Sequence, residues 1–258
     1  VPFLETIQVA LVAGLLGLDR LAFGQFMFSQ PIVAAPLIGA LLGDVHTGLM
    51  IGVVLELYWL RCMPVGGHVP KDATLSAVLT TGLTLLPVQS AEAVDPAWIA
   101  WVFLWVGVLL VPVGRLEQWL RRKNAWLIRG ALSSASLDRG IARSVGMGVL
   151  VFFIYYFGIT CAALGLSWPF LVRGYSVLSY EVLQGLRLFF YLLPAMGMAS
   201  LLSYKDLTSG RVHLGVGGAA SLLLFVVFMM QSGWPLVFLF LLALTMVFVQ
   251  KRRSAASS

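Results

Sequence analysis

A carboxylate stands inside an apolar run. Between His46 and Arg61 the only charged residue is Glu56. It follows Gly48 and Gly52 at successive intervals of four, and Gly39 and Gly43 repeat that interval just upstream. On a helix such positions share one face. A stripe of small residues lets two backbones approach closely in lipid, so Glu56 at its end should point into protein. An acid at membrane depth is costly, and by default it marks a pathway or a binding site. The bland alternative is a structural acid that holds nearby broken backbone. That break follows at once: Pro64, Gly66, Gly67 and Pro70 surround His68, with Lys71 and Asp72 next. Broken backbone beside buried acids can build a solute site, because freed carbonyls and amides become ligands. Asp44 either ends one helical arm or caps the next. Asp72 is placed to cap the helix after it, to bind solute, or both. The histidines (His46, His68, His213) and the cysteines (Cys62, Cys161) are far apart. No metal set, disulfide framework or nucleophile–base pair emerges, so no catalytic residue, metal or cofactor is expected.

The elements that must position these groups are membrane helices. The 258 residues are 60% hydrophobic and 11% charged, against about a quarter charged in a soluble domain. Mean hydropathy is +0.94. The net charge of +6 is accounted for by basic residues on the cytoplasmic side of a membrane, and not by nucleic acid. The expected fold is all-α, a polytopic integral membrane protein with about 6–8 transmembrane helices. It should carry a re-entrant or broken hairpin in its N-terminal half. The hairpin arms Pro31–Gly43 and Thr47–Leu60 are each roughly 20 Å long, short of the ~30 Å hydrocarbon core. Ile7–Leu18 and its amphipathic start read as one helix. It lacks the basic start of a signal peptide and is expected to be a retained span.

Residues 73–86 resume a helix, and 97–114 is a clean span with Trp98, Trp101 and Trp105. Residues 115–143 form a basic loop with seven bases against Glu117 and Asp138. Spans follow at 145–166, 183–202 (bent at Pro194), 214–230 and 235–249. The expected organisation is 1–114, an N-terminal membrane half with the candidate site; 115–143, a basic cytoplasmic loop; 144–250, a C-terminal membrane half; and 251–258, a cytoplasmic tail. In this reading the acidic loop 89–96 and the aromatic stretch 168–180 lie outside.

The run PIVAAPLIGALLGDVHTGLMIGVVLELYWL, followed by MPVGGHVPKDATLSAVL, resembles the IIC subunit of the mannose–fructose–sorbose family of the bacterial phosphoenolpyruvate-dependent sugar phosphotransferase system. The resemblance rests on the GxxxGDxxxGxxxGxxxE spacing of Gly39, Gly43, Asp44, Gly48, Gly52 and Glu56. The later PxGGxxPxDA of Pro64, Gly66, Gly67, Pro70, Asp72 and Ala73 adds to it. It covers Gln25 to about Leu86. It implies a multi-pass permease of the bacterial inner membrane, in an oligomer, paired with a homologous IID subunit. The pair would carry a hexose or amino-hexose inward while a IIB protein, charged by IIA, phosphorylates it. Phosphoryl groups stay on IIA and IIB, so this chain should bear none.

The resemblance makes Glu56 and Asp72 candidate sugar ligands, with Gln25 and Gln30 as further hydroxyl partners or plain interfacial residues. His68 and Lys71 would meet the sugar or the incoming phosphate, unless they are solvated loop groups. In the family the proline opening the hairpin often follows a basic residue and an upstream acid, and here Gln30 and Gln25 stand in those places. Trp59 or Tyr58 could stack on a sugar face. The basic loop is an orientation signal or a surface for an acidic partner or anionic lipid. Three other classes remain open. One is a secondary carrier or channel with Glu56 as proton or cation site. The others are an intramembrane enzyme and a scaffold for the IID-like subunit.

Overall fold

The computed structural model describes residues 3–22, 24–59, 71–87, 94–132 and 137–202, with backbone alone at 21, 124–132, 137 and 199–202. Pro64, Gly66, Gly67, His68, Pro70 and the expected spans at 214–230 and 235–249 lie outside these residues, as does the 251–258 tail. The chain divides into two compact units, Val1–Leu201 and Leu202–Ser258, and the helices below belong to the first.

Seven helices and no strand occur among the described residues. They are α1 (Phe3–Leu21), α2 (Pro31–Leu41), α3 (Val45–Trp59), α4 (Ala73–Leu85), α5 (Pro96–Leu132), α6 (Leu137–Ser176) and α7 (Tyr180–Leu202). Four of these starts have a local cause. Pro31 and Pro96 occupy first helical positions, where a missing N–H is harmless. Asp44, Asp72 and Asp95 accept backbone N–H groups of Thr47, Leu75 and Ala97, each at 2.9 Å, which satisfies donors that the helix leaves orphaned. Between α2 and α3, Gly43 takes φ +88°, and the Asp44 N–H returns to the Gly39 carbonyl at 2.8 Å. A left-handed residue at that place ends a helix, and glycine does so without a Cβ penalty.

Among the described residues, two helices, over Pro96–Lys123 and Asp138–Ser176, are long and apolar enough to cross a membrane. They keep bulky apolar side chains on the outside, among them Val108, Val111, Val145, Leu150, Ile154 and Leu166. Such a surface suits lipid and would be a liability in water. The stretch 115–143, expected as a loop, is largely helix: α5 continues to Leu132 and α6 opens at Leu137. Arg, Lys, Leu and Ala are good helix formers, and Glu117 bonds Arg121 one turn on. Charge marked the segment as polar, but charge alone does not break a helix. Likewise α6 runs through the aromatic stretch to Ser176, with Pro169 inside it.

At the centre is α4. Every residue from Thr74 to Leu85 is buried, packed on α1, α2, α3, α5 and α6. The apolar core joins Val9 and Leu16 of α1, Ile38 of α2, Ile51 and Leu55 of α3, Leu79 and Leu83 of α4, Phe103 of α5 and Tyr156 of α6.

Candidate functional site

The hairpin is packed backbone on backbone. A Cβ at Gly48 would lie 2.7 Å from the Ala35 carbonyl oxygen and 3.0 Å from the Gly39 Cα; one at Gly52 would lie 2.8 Å from the Pro31 oxygen. Only hydrogen fits at these positions. Continuing the same stripe, Glu56 reaches the amino end of α2, where its carboxylate accepts the Ile32 N–H at 3.2 Å. That end carries an unsatisfied donor and the positive pole of the helix dipole, so an anion is favoured there.

Leading into α2, the loop 24–30 holds Gln25 and Met27 at positive φ. It is pinned by Asp19, which accepts the N–H groups of Phe26 (2.7 Å) and Ser29 (2.9 Å). The Ser29 carbonyl accepts the Thr74 hydroxyl at 2.8 Å. The amino end of α2 therefore meets the end of α3 and the start of α4, and Gln30, Glu56 and Asp72 are gathered around it. Gln25 and Gln30 are exposed.

Asp72 does three things. It caps α4; it pairs with the Arg20 guanidinium; and it accepts the Tyr156 hydroxyl at 2.6 Å. Arg20 also donates to the Tyr156 oxygen at 2.9 Å and lies 3.7 Å from Glu117, which holds Arg121 at 2.7 Å. Two acids and two bases make a neutral cluster. Charges inside a membrane protein persist only when paired in this way.

An open cleft of about 590 Å³ adjoins the site. Tyr58, Trp59 and Lys71 line one part of it, and Phe103, Val108 and Phe189 another. Trp59 donates its indole N–H to the Ser76 hydroxyl at 3.2 Å. The α7 backbone touches the far end of α3: a Cβ at Gly197 would lie 2.0 Å from the Leu57 oxygen. At the opposite end of α5, Arg187 of α7 grips Asp95 through two hydrogen bonds of 2.9 and 2.8 Å. This holds the Asp95 carboxyl below the usual carboxylate range. In the turn between α2 and α3, hydrogen bonds from the Thr47 side chain and backbone lower Asp44 in the same direction.

Residues 3–206 match the family described as the PTS system sorbose-specific IIC component. The chain belongs to this family. Among relatives of this IIC chain, the mannose-specific EIIC component of Escherichia coli K12 is 36% identical over 90 residues, 35% of this chain and 34% of that one. The N-acetylgalactosamine permease IIC component 1 of the same strain is 33% identical over 81 residues, 31% and 30% of the two chains. The sorbose-specific EIIC component of Klebsiella pneumoniae is 36% identical over 66 residues, 26% and 25%. The matched part of this chain thus spans about a third or less of each relative's length. A solved structure, described as that of a membrane protein, is similar at TM-score 0.66 and 19% identity, over 98% of this chain and 96% of that one. The IIC chain is an integral membrane protein of all-α fold.

In this family member the structure also assembles residues that the sequence did not single out as a site: Asp19, Arg20, Glu117, Arg121 and Tyr156. Two signals were available. Arg20 is the first base in the chain, at the end of an otherwise apolar helix, and Glu117 stands four residues before Arg121. Nothing local distinguishes Tyr156 from its neighbour Tyr155. Of the sequence candidates, Lys71 is exposed at the cleft, and His68 lies outside the described residues.

Proposed function

We propose that this chain is the IIC membrane subunit of a sugar phosphotransferase system. It would carry a hexose or amino-hexose inward together with a IID subunit, coupled to phosphorylation of the sugar by IIB. The observation that carries the reading is the family match over residues 3–206. The geometry supports it. A tight hairpin places Glu56 at the amino end of α2, and Asp72 caps α4, beside a cleft with an indole, a phenol and an ammonium group. Aromatic faces and a few convergent polar groups are what a sugar pocket needs. Gln30 and Lys71 would complete the polar set, with Gln25 at the loop and His68 from the break.

The same proposal places the basic stretch and the C-terminus in the cytoplasm. Asp95 and Glu117 are 22 residues apart on α5, roughly 33 Å at 1.5 Å per residue, which matches the ~30 Å hydrocarbon core. The bases Arg121, Arg122 and Lys123 lie just past the Glu117 level, as positive-inside residues should.

The test uses membrane vesicles holding this chain and its IID partner, given labelled mannose, N-acetylgalactosamine or sorbose with and without phosphorylated IIB. The expected result is donor-dependent accumulation of sugar phosphate. Accumulation of unmodified sugar on a proton gradient alone would overturn the reading in favour of a secondary carrier.

A further inference from the structure

Helix α4 is buried from Thr74 to Leu85, yet five of its thirteen residues carry hydroxyls: Thr74, Ser76, Thr80, Thr81 and Thr84. Thr74 and Ser76 have partners, in the Ser29 carbonyl and the Trp59 indole. The Thr80, Thr81 and Thr84 hydroxyls have none among the described residues, although these residues are 1%, 0% and 0% exposed. They do not even bond back to the preceding turn, the usual refuge of a helical threonine. Buried polar groups are nearly always partnered, and an exception asks for an explanation such as an absent water or ligand.

Spacing gives the orphans a direction. Ser76, Thr80 and Thr84 are four apart and share a face, covering about 12 Å of helix. Thr80 and Thr84 flank Gly82 by two residues, which puts them on the opposite side of the helix. Gly82 packs on Leu164 of α6 and Val9 of α1, so the stripe points away from that apolar contact. Its first member bonds Trp59, and Trp59 lines the cleft. The stripe therefore starts at the cleft wall and leads inward along the central helix.

We propose that Thr80 and Thr84 are sugar-contacting residues of the translocation path, exchanging hydrogen bonds with sugar hydroxyls beyond the entry marked by Trp59 and Ser76. The proposal rests on the sugar-carrying reading and extends it along the central helix. A polyhydroxylated solute leaving water needs replacement partners along its way. A threonine hydroxyl, donor and acceptor at once, supplies them without adding charge.

The experiment compares Thr80→Val and Thr84→Val with Thr80→Ser and Thr84→Ser. Valine keeps the shape and deletes the hydroxyl; serine keeps the hydroxyl. Two measurements are made on the full complex with its IID partner. One is uptake kinetics with phosphorylated IIB. The other is the rise in melting temperature on adding mannose, N-acetylgalactosamine or sorbose, which needs no donor. Each valine variant is expected to assemble and to raise KM by about 2- to 12-fold, the range for one neutral hydrogen bond. The sugar-induced melting shift should shrink in parallel, and serine should restore both.

A purely structural threonine would give valine variants with unchanged KM and an unchanged sugar-induced shift, and that result overturns the proposal. Valine variants that fail to assemble while serine variants transport with altered KM also overturn it, because the hydroxyl is then structural and the change in KM follows the lost methyl group. If the wild type shows neither uptake nor a melting shift with any of the three sugars, the sugar-carrying reading itself fails. A wild-type shift that the valine variants lose, without donor-dependent uptake, refutes only the coupling to IIB and supports the hydroxyl path.

Discussion

Replacing Asp72 by Asn tests whether the buried cluster holds the helices together. Asparagine is as good an N-cap as aspartate, so the α4 start is preserved and only the charge goes. Arg20, with a side chain 15% exposed, then loses its nearest counter-charge. Removing one member of a buried pair costs about 3–5 kcal/mol. Glu117 remains 3.7 Å from Arg20 and compensates in part, which places the expected loss near the lower end, about 3 kcal/mol. For a chain of this length that is a fall of roughly 6–12 °C in melting temperature. Asp72→Ala, which also removes the cap, should lose about 1 kcal/mol more. Arg20→Gln combined with Asp72→Asn leaves no orphaned charge in the pair and should recover at least half of the loss. The assay is thermal unfolding of the detergent-solubilised complex at neutral pH, followed by tryptophan fluorescence and by size-exclusion profile. An Asp72→Asn protein that melts within about 2 °C of wild type would refute the reasoning. A double variant no more stable than the sum of its single losses would do the same.

Other perturbations address other parts. Gly48→Ala puts a methyl group 2.7 Å from the Ala35 carbonyl and should cost about 1–3 kcal/mol; a melting point equal to wild type would show that the hairpin yields freely. Glu56→Gln keeps an acceptor for the Ile32 N–H, so the complex should assemble, while sugar affinity should fall by about 10- to 150-fold, the range for a charged hydrogen bond; unchanged affinity on an assembled complex removes Glu56 from the sugar site, and failed assembly makes its charge structural. Because the Arg187 contact depresses the Asp95 pKa, that tie is present above the unfolded value near ~3.9 and is lost as pH falls through the folded value. Melting followed from pH 7 to 3 should therefore show an acid limb that Asp95→Asn flattens, and identical limbs in both proteins would refute the link. In a background without Cys62 and Cys161, Ser257→Cys should resist an impermeant thiol reagent in intact cells, and labelling there would reverse the proposed orientation.

The sequence spelled out the hairpin because its information is local. Glycines four apart, a capping acid and a proline at a helix start act within a turn or two, and the fold follows them at Gly48, Asp44 and Pro31. The buried cluster was illegible for the opposite reason. Arg20, Asp72, Glu117 and Tyr156 come from four helices, separated by up to 136 positions, and each looks ordinary beside its neighbours. Bases in the 115–143 stretch were read as loop because polarity suggested water. Polarity reports surroundings, whereas helix continuation depends on backbone preference, and no proline stands between Arg115 and Leu132. Asp95 has no base near it in the sequence, because its partner lies 92 positions away on α7.

The contact between Gly39 and Gly48 has a mechanical side. Side chains between helices act as cushions, since rotamers can shift while the backbone advances. Where Cα meets Cα there is no cushion, and α2 and α3 must travel as one stiff lever. A push at the Asp44 corner would reach Pro31 with little damping, at the far end of a helix about 16 Å long. The slack has to come from the ends, and one end is the loop with Gln25 and Met27 in left-handed backbone, held through Asp19 and Ser29.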